Sequence, residues 1–371
     1  MRIAVTGKAP VPLPWELRGT QGSSLWPEEG EGFQMANGAP SGWRRRLSRA
    51  AFEYAGLLAV LIGLFVVFEL LIWSRSGRHF VTRSVLEMIA AQVPDAVIIA
   101  VGMTYVLILG GIDLSVGSVL ALSSAVLGAM LARVPLHALS LWTFAAAVAA
   151  CLGAGMACGL ANGFVTVRWR LPSFIVTLGM LEMARGGAYL VSTSQTQYIG
   201  RAIEIVASAK LLGLPIPFAL ALYIVVVGQF CLSRTVFGRY VVAIGTNEEA
   251  VRLSGIDPRP VKLAVFRLCG LLAATAALLH TARLSSADPN AGVGYELQAI
   301  AAVVIGGTSL MGGRGSAIAS FFGVLIIAVL GAGLVQLGAR EPTKRLITGG
   351  VIIAAVIADY YRRRVARQGR E

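Results

Sequence analysis

Long apolar runs, separated by short polar, glycine-rich or basic breaks, organise most of this chain. The runs fall at about 51–73, 92–109, 114–132, 141–166, 172–193, 215–232, 263–281, 296–311, 317–337 and 345–361. Each is close to the roughly 20 residues that cross a bilayer as helix. The pattern predicts an all-α polytopic membrane protein of about ten transmembrane helices. The stretch 79–91 reads as a shorter amphipathic helix lying at the interface. Between Asp95 and Arg133 the only charge is Asp113, in the sequence GGIDLSVGS, Gly110 to Ser118.

Composition supports lipid as the main solvent. Of 371 residues, 56% are hydrophobic and 14% charged, whereas a soluble domain is nearer a quarter charged. The net charge of +13 does not point to nucleic acid, because the basic residues gather at the ends of apolar runs, where they set membrane orientation. With both termini cytoplasmic, the inner segments hold 18 Lys and Arg against 10 in the outer loops. That parity requires the chain to reverse near Gly110–Asp113. Gly110 and Gly111 can end one helix, and Asp113 can cap the next by accepting from the amide of Ser115 or Val116.

Residues 1–49 read as a disordered cytoplasmic tail, 50–361 as the membrane domain and 362–371 as a basic cytoplasmic tail. Residues 1–34 are rich in Pro, Gly and Glu and lack the apolar core of a signal peptide. Met35 opens a polar and then basic approach to the first span, so translation from Met35 and a genuine unstructured tail are both open readings.

The polar loop 234–262 carries the most information. Asn247 is a good N-cap, with Glu248 and Glu249 in the first turn, where the helix dipole favours anions. Arg252 falls near the end, Gly255 is a stop, and Pro258 and Pro260 prevent continuation. So short a helix must pack on something else, which makes it either a connector or a docking element for a cytoplasmic subunit.

At this loop the sequence resembles a known family. GTNEEAVRLSGI is similar to the coupling-helix region of permeases from the monosaccharide (ribose-type) ABC importers, which places Asn247, Glu248, Glu249, Ala250, Arg252, Ser254, Gly255 and Ile256 in the helix that contacts the ATPase. GGIDLSVGS, NGFVTVRWRLPSFIVTLGMLEMARG, YELQAIAAVVIGGTSLMGGRGS and GAGLVQLG follow the same family in order, over roughly 50–361. The segment Val167-Arg168-Trp169-Arg170 departs from it as an unusually basic connector. The resemblance implies a type II ABC importer membrane domain working as a pair, as a homodimer or heterodimer. It also implies a cytoplasmic ABC ATPase of double length that binds ATP and Mg, a periplasmic sugar-binding protein, and a bacterial inner membrane. Consistent with that division of labour, no G-x-x-x-x-G-K-[ST] phosphate cradle occurs, since Gly7–Lys8 is followed by Ala9. The chain is therefore expected to hold no cofactor and to catalyse nothing itself. Three dispersed histidines and four cysteines within apolar runs offer no metal-ligand spacing.

Polar residues inside the membrane are the remaining candidates. Glu182 and Arg185 share a helix face and are expected to pair. Ala147, Cys151, Gly155, Gly159 and Gly163 recur every four residues as a flat packing stripe. Asn162 lies one position off that stripe and faces either the bundle or the path, and Thr177 is a further polar candidate. The segment holding Gly306, Gly307, Thr308, Ser309, Gly312 and Gly313 echoes the stretch around Asp113 and Ser115, sharing Gly110/Gly306, Gly111/Gly307, Leu114/Leu310 and Gly117/Gly313, and reads as a second helix break. Thr308 and Ser309 suit a neutral polyhydroxylated solute. A permease for a branched-chain amino acid, polyol or signal molecule is the alternative within the superfamily. An ion-coupled transporter is the alternative outside it, and would look to Glu69 or Glu182 for its midspan acid.

Overall fold

The computed structural model describes residues 41–357, apart from 133, 135–139, 212, 341, 352, 355 and 356. The tail readings on 1–40 and 358–371 lie outside these residues. Helix α1 (Ser41–Ser76) opens the described chain, with its membrane-spanning part at Tyr54–Ser76. It is followed by α2 (Arg83–Ile108), α3 (Val116–Leu131), α4 (Leu141–Trp169), α5 (Ser173–Ser192), α6 (Arg201–Ser208) and α7 (Ile216–Arg234). Then come α8 (Val236–Thr246), α9 (Glu248–Leu253), α10 (Arg259–Leu284), α11 (Tyr295–Ile305) and α12 (Ala317–Gln336). Two antiparallel ladders of two residues each join β1 (Gln197–Tyr198) to β4 (Ser286–Ala287) and β2 (Lys210–Leu211) to β3 (Leu214–Pro215).

Among the described residues seven helices are long and apolar enough to cross a membrane: α1, α2, α4, α5, α7, α10 and α12. Helices α2, α10 and α12 are mostly buried and form the centre, whereas α1, α4, α5 and α7 keep large apolar side chains outward. The predicted stripe on α4 explains one seam. A Cβ on Gly155 or Gly159 would strike the carbonyl oxygens of Gly270 or Phe266, so α4 and α10 pack backbone to backbone. Short polar bonds tie the other central pairs. Thr104 Oγ1 meets Ser320 Oγ at 2.7 Å (α2–α12), the Tyr105 hydroxyl donates to the Gly228 carbonyl at 2.5 Å (α2–α7), and Ser124 Oγ meets Thr281 Oγ1 at 2.7 Å (α3–α10).

Four expectations require correction. Residues 83–91 are the first turns of α2, not a separate interfacial helix, because Pro94 is accommodated inside it. The loop 234–262 contains a second helix, α8, whose Val241 and Ile244 are buried. The predicted span 296–311 is an 11-residue helix, roughly 16 Å long and half of what a bilayer needs.

That half-helix follows a re-entrant stretch. After α10, Ala287 packs at Gly128 near one end of α3, and Gly292 packs at Gly117 near its other end. Those two positions on α3 lie roughly 16 Å apart along its axis, so the turns between β4 and α11 carry the chain back into the bundle. Non-helical backbone at membrane depth survives where protein buries it and satisfies its polar groups. Here Arg185 Nη1 donates to the carbonyls of Pro289 at 2.7 Å and Ala291 at 2.8 Å. Arg185 therefore does not pair with Glu182, which points outward. The open carbonyls of the re-entrant turn make the more demanding acceptors.

Candidate functional site

The corner between α7 and α8 is one residue wide. Thr235 Oγ1 donates to the Cys231 carbonyl at 2.5 Å and accepts from the Gly238 amide at 3.2 Å, which aims α8 at the short helix α9. Asn247 Oδ1 accepts from the Ala250 amide at 3.0 Å, with Glu248 and Glu249 in the first turn. At the other end Gly255 takes φ +82°, its amide donates to the Arg252 carbonyl at 3.0 Å, and the Ile256 amide donates to the Val251 carbonyl at 3.3 Å. Those two bonds are a Schellman cap. Ser254 Oγ adds a bond to the Ala250 carbonyl at 2.9 Å. The side chains are fixed as well, by Lys262–Glu248 at 2.6 Å and Arg252–Glu249 at 3.3 Å. Val251 is buried beneath the helix, but Leu253 is 81% exposed.

Directly before α9 the two helix breaks meet. The Gly313 amide donates to the Ile108 carbonyl at 2.8 Å. A Cβ on Gly312 would meet the Gly245 carbonyl oxygen at 2.6 Å and Gly110 at 3.2 Å, and one on Gly245 would collide with the Ile108 carbonyl oxygen. So Gly110, Gly312, Gly313 and the last turn of α8 form one knot. Gly306 packs against Ala319 on α12, and Gly307 adopts φ +88° at the end of α11. Thr308 and Ser309 are buried, and Thr308 Oγ1 has no hydrogen-bond partner among the described residues.

Between the knot and α3 the chain runs without helix, wrapped by α4 and α5. Asp113 Oδ1 accepts from the Ser115 amide at 2.9 Å and from Ser115 Oγ at 2.6 Å. Asn162 Nδ2 donates to Ser115 Oγ at 2.9 Å, so this side chain faces the bundle, and its Oδ1 has no partner among the described residues. The Ile112 amide donates to Ser173 Oγ at 2.9 Å and the Leu114 amide to Thr177 Oγ1 at 3.1 Å, close to Gly111. Ser115 occupies the cap position of α3 without a side-chain cap bond. Asp113 thus orders the turn ahead of the helix rather than the helix amides themselves. Replacing it with Asn keeps the accepting oxygen, so Asp113→Asn should retain uptake and melt within a few degrees of the parent protein. Asp113→Leu orphans two buried donors at about 1–3 kcal/mol each, and should lower the melting temperature in detergent clearly.

A fourth polar group has no signature in the local sequence. Asp95 Oδ2, on α2, accepts from His280 Nδ1 at 2.8 Å and Arg283 Nη2 at 3.0 Å, and lies 3.5 Å from the Tyr295 hydroxyl. The arginine cation and the carboxylate offset one another, as burial requires. The cluster joins α2 and α10 to the first residue of α11. Its only sequence trace is the His280–Arg283 spacing of three on an otherwise apolar helix face.

Residues 85–356 match the family described as branched-chain amino acid transport system / permease component. Over 322 residues the chain is 38% identical to the ribose import permease protein RbsC of Escherichia coli (strain K12), covering 85% of this chain and 96% of that one. It is 35% identical over 321 residues to the fructose import permease protein FrcC of Rhizobium meliloti, covering 83% and 86%. The D-allose transport system permease protein AlsC of Escherichia coli (strain K12) is 35% identical over 306 residues, covering 82% and 89%. No solved structure matches the chain significantly.

Proposed function

The chain belongs to the family of branched-chain amino acid transport system permease components, and on that footing we propose that it is the membrane-spanning subunit of an ATP-driven monosaccharide importer. In this reading it sits in a bacterial inner membrane with both termini in the cytoplasm and a second permease chain beside it. A separate double-length ATPase binds ATP and Mg and docks on α9, and a soluble sugar-binding protein delivers substrate at the opposite end. The permease itself hydrolyses nothing. The observation that carries the reading is α9: six residues, capped at both ends and braced by two ion pairs, that hold Leu253 outward. A helix this short is not stable alone, and so much local bracing around an exposed apolar tip suits a rigid knob for a partner's groove.

The knot supplies the route for coupling. Motion of α9 passes through α8 to Gly245, and from there to the breaks at Gly110 and Gly312–Gly313. Alternating access then follows from displacing helix ends that are already discontinuous. The ion-coupled alternative loses its acids in this geometry. Glu69 accepts from His79 Nδ1 at 2.5 Å and from the amides of Phe80 at 2.8 Å and Val81 at 2.9 Å, which fixes the turn between α1 and α2, and Glu182 faces outward.

Gly255→Val tests the coupling role. Its Cβ meets open space, so the membrane core is untouched, but a β-branched residue at positive φ undoes the cap at a cost of about 1–2 kcal/mol. The variant should insert and melt like the parent while ATP hydrolysis by the complex no longer drives uptake of labelled ribose. Normal coupling in that variant removes α9 as the docking helix. Uptake that persists after ion gradients collapse, and stops without ATP, separates this reading from secondary transport. Competition by unlabelled monosaccharides against leucine identifies the substrate class.

A further inference from the structure

The connector between α4 and α5 is basic, carrying Arg168 and Arg170. Its two arginines diverge. Arg168 lies over the Trp169 ring at 5.8 Å, and Trp169, 58% exposed, packs edge-on against Phe164. That pair belongs to the outward aromatic surface of α4, where such rings meet lipid. Arg170 ends α4 with φ +53° and ψ +36°, a left-handed state that residues with a Cβ adopt at a cost.

Arg170 lines a cavity of about 710 Å³ at the α9 end, bounded on one side by Thr166, Arg170 and Leu171 and on the other by Glu249, Arg252 and Lys262. The charges on the α9 side neutralise one another through Lys262–Glu248, Arg252–Glu249 and Arg259–Asp257. Arg170 has no acidic partner among the described residues, so it leaves the cavity one uncompensated cation. Thr166, 91% buried, also lines the cavity, and its Oγ1 has no hydrogen-bond partner among the described residues. A cation and an unused hydroxyl on the same wall match a carboxylate, which takes a charge-assisted bond from each.

We propose that Arg170 is a second docking point for the ATPase subunit, receiving an acidic side chain of that subunit in the cavity beside α9. The inference rests on the importer reading above. It makes the contact two-part: an apolar knob at Leu253 and a charged socket at the α4–α5 corner. A two-point contact resists rotation about α9 in a way that one short helix cannot.

The test uses the full-length permease in nanodiscs, titrated with its ATPase at several salt concentrations, in neutral and in anionic lipid. Arg170→Gly removes the charge while suiting the left-handed backbone, so it should fold at least as well as the parent. It should weaken ATPase binding about fivefold, the scale of one partly exposed ion pair. Arg170→Glu should weaken it further, and in both variants the salt dependence of binding should flatten. Parental affinity and salt dependence in both variants overturn the proposal. A defect confined to anionic discs also overturns it, and assigns Arg170 to lipid headgroups instead. If Gly255→Val weakens binding and the Arg170 variants do not, docking on α9 stands and the second point falls. If the parent protein itself fails to bind the ATPase, the importer reading falls with it.

Discussion

Replacing Gly245 with alanine is expected to abolish transport and destabilise the membrane domain, although the change adds one methyl group at the end of a helix. The added Cβ points at the Ile108 carbonyl oxygen and lies 2.8 Å from the Gly313 amide nitrogen. Both are backbone atoms, joined to each other by the hydrogen bond that closes the knot. No rotamer change relieves the contact, so the break in α2, the glycine turn after α11 or α8 itself must move. We expect a loss of about 3 kcal/mol, the upper part of the range for overpacked interiors. Thermal melting of the purified variant in detergent checks the stability, and vesicle uptake checks the function. Gly153→Ala, where the same methyl meets open space, should behave as the parent or slightly better, since alanine favours helix. A Gly245→Ala variant with parental melting and uptake would show that α8 stands clear of the helix breaks.

The second large effect is expected at Arg283. Its guanidinium keeps the Asp95 carboxylate neutralised, and the two side chains are 27% and 3% exposed. Arg283→Leu leaves the buried Asp95 carboxylate without its arginine. Breaking one side of a buried pair costs about 3–5 kcal/mol, whereas replacing both sides with apolar groups costs far less. The double variant Asp95→Leu with Arg283→Leu should therefore be more stable than Arg283→Leu alone, a non-additivity that reports direct coupling. Denaturation of the two single variants and the double variant measures it. Additive losses would show that the contact carries little energy. Because the cluster also holds Tyr295, Arg283→Leu should leave the start of α11 open to proteases that do not cut the parent.

Much of this architecture is legible in the sequence because bilayers enforce a simple pattern. Seven of the apolar runs, the every-fourth-residue stripe of α4 and the paired caps of α9 arise from local rules, and each lies where those rules place it. The misreadings share a different origin. Hydropathy reports whether a segment is buried and says nothing of whether it is helical. An apolar stretch such as 296–311 therefore looks like a span although Gly306 and Gly307 end the helix halfway. The more polar stretch 79–91 looks like a separate interfacial helix, yet α2 runs on from Arg83 through Pro94 to Ile108. Arg185 has an acid three residues away and takes carbonyls 104 and 106 positions later instead. Asp95 finds His280 and Arg283 185 and 188 positions later. Contacts of that range leave no periodicity to read.

Those separations also set an order of events during synthesis. Asp95 and Arg185 enter the bilayer on α2 and α5, well before the ribosome has made His280, Arg283 or the re-entrant carbonyls of Pro289 and Ala291. Until then each is a charge held in lipid without its partner, a condition costing several kcal/mol. A nascent chain halted before α10 is thus marked by two unpaired charges of opposite sign, and completing the last third of the protein removes both marks together.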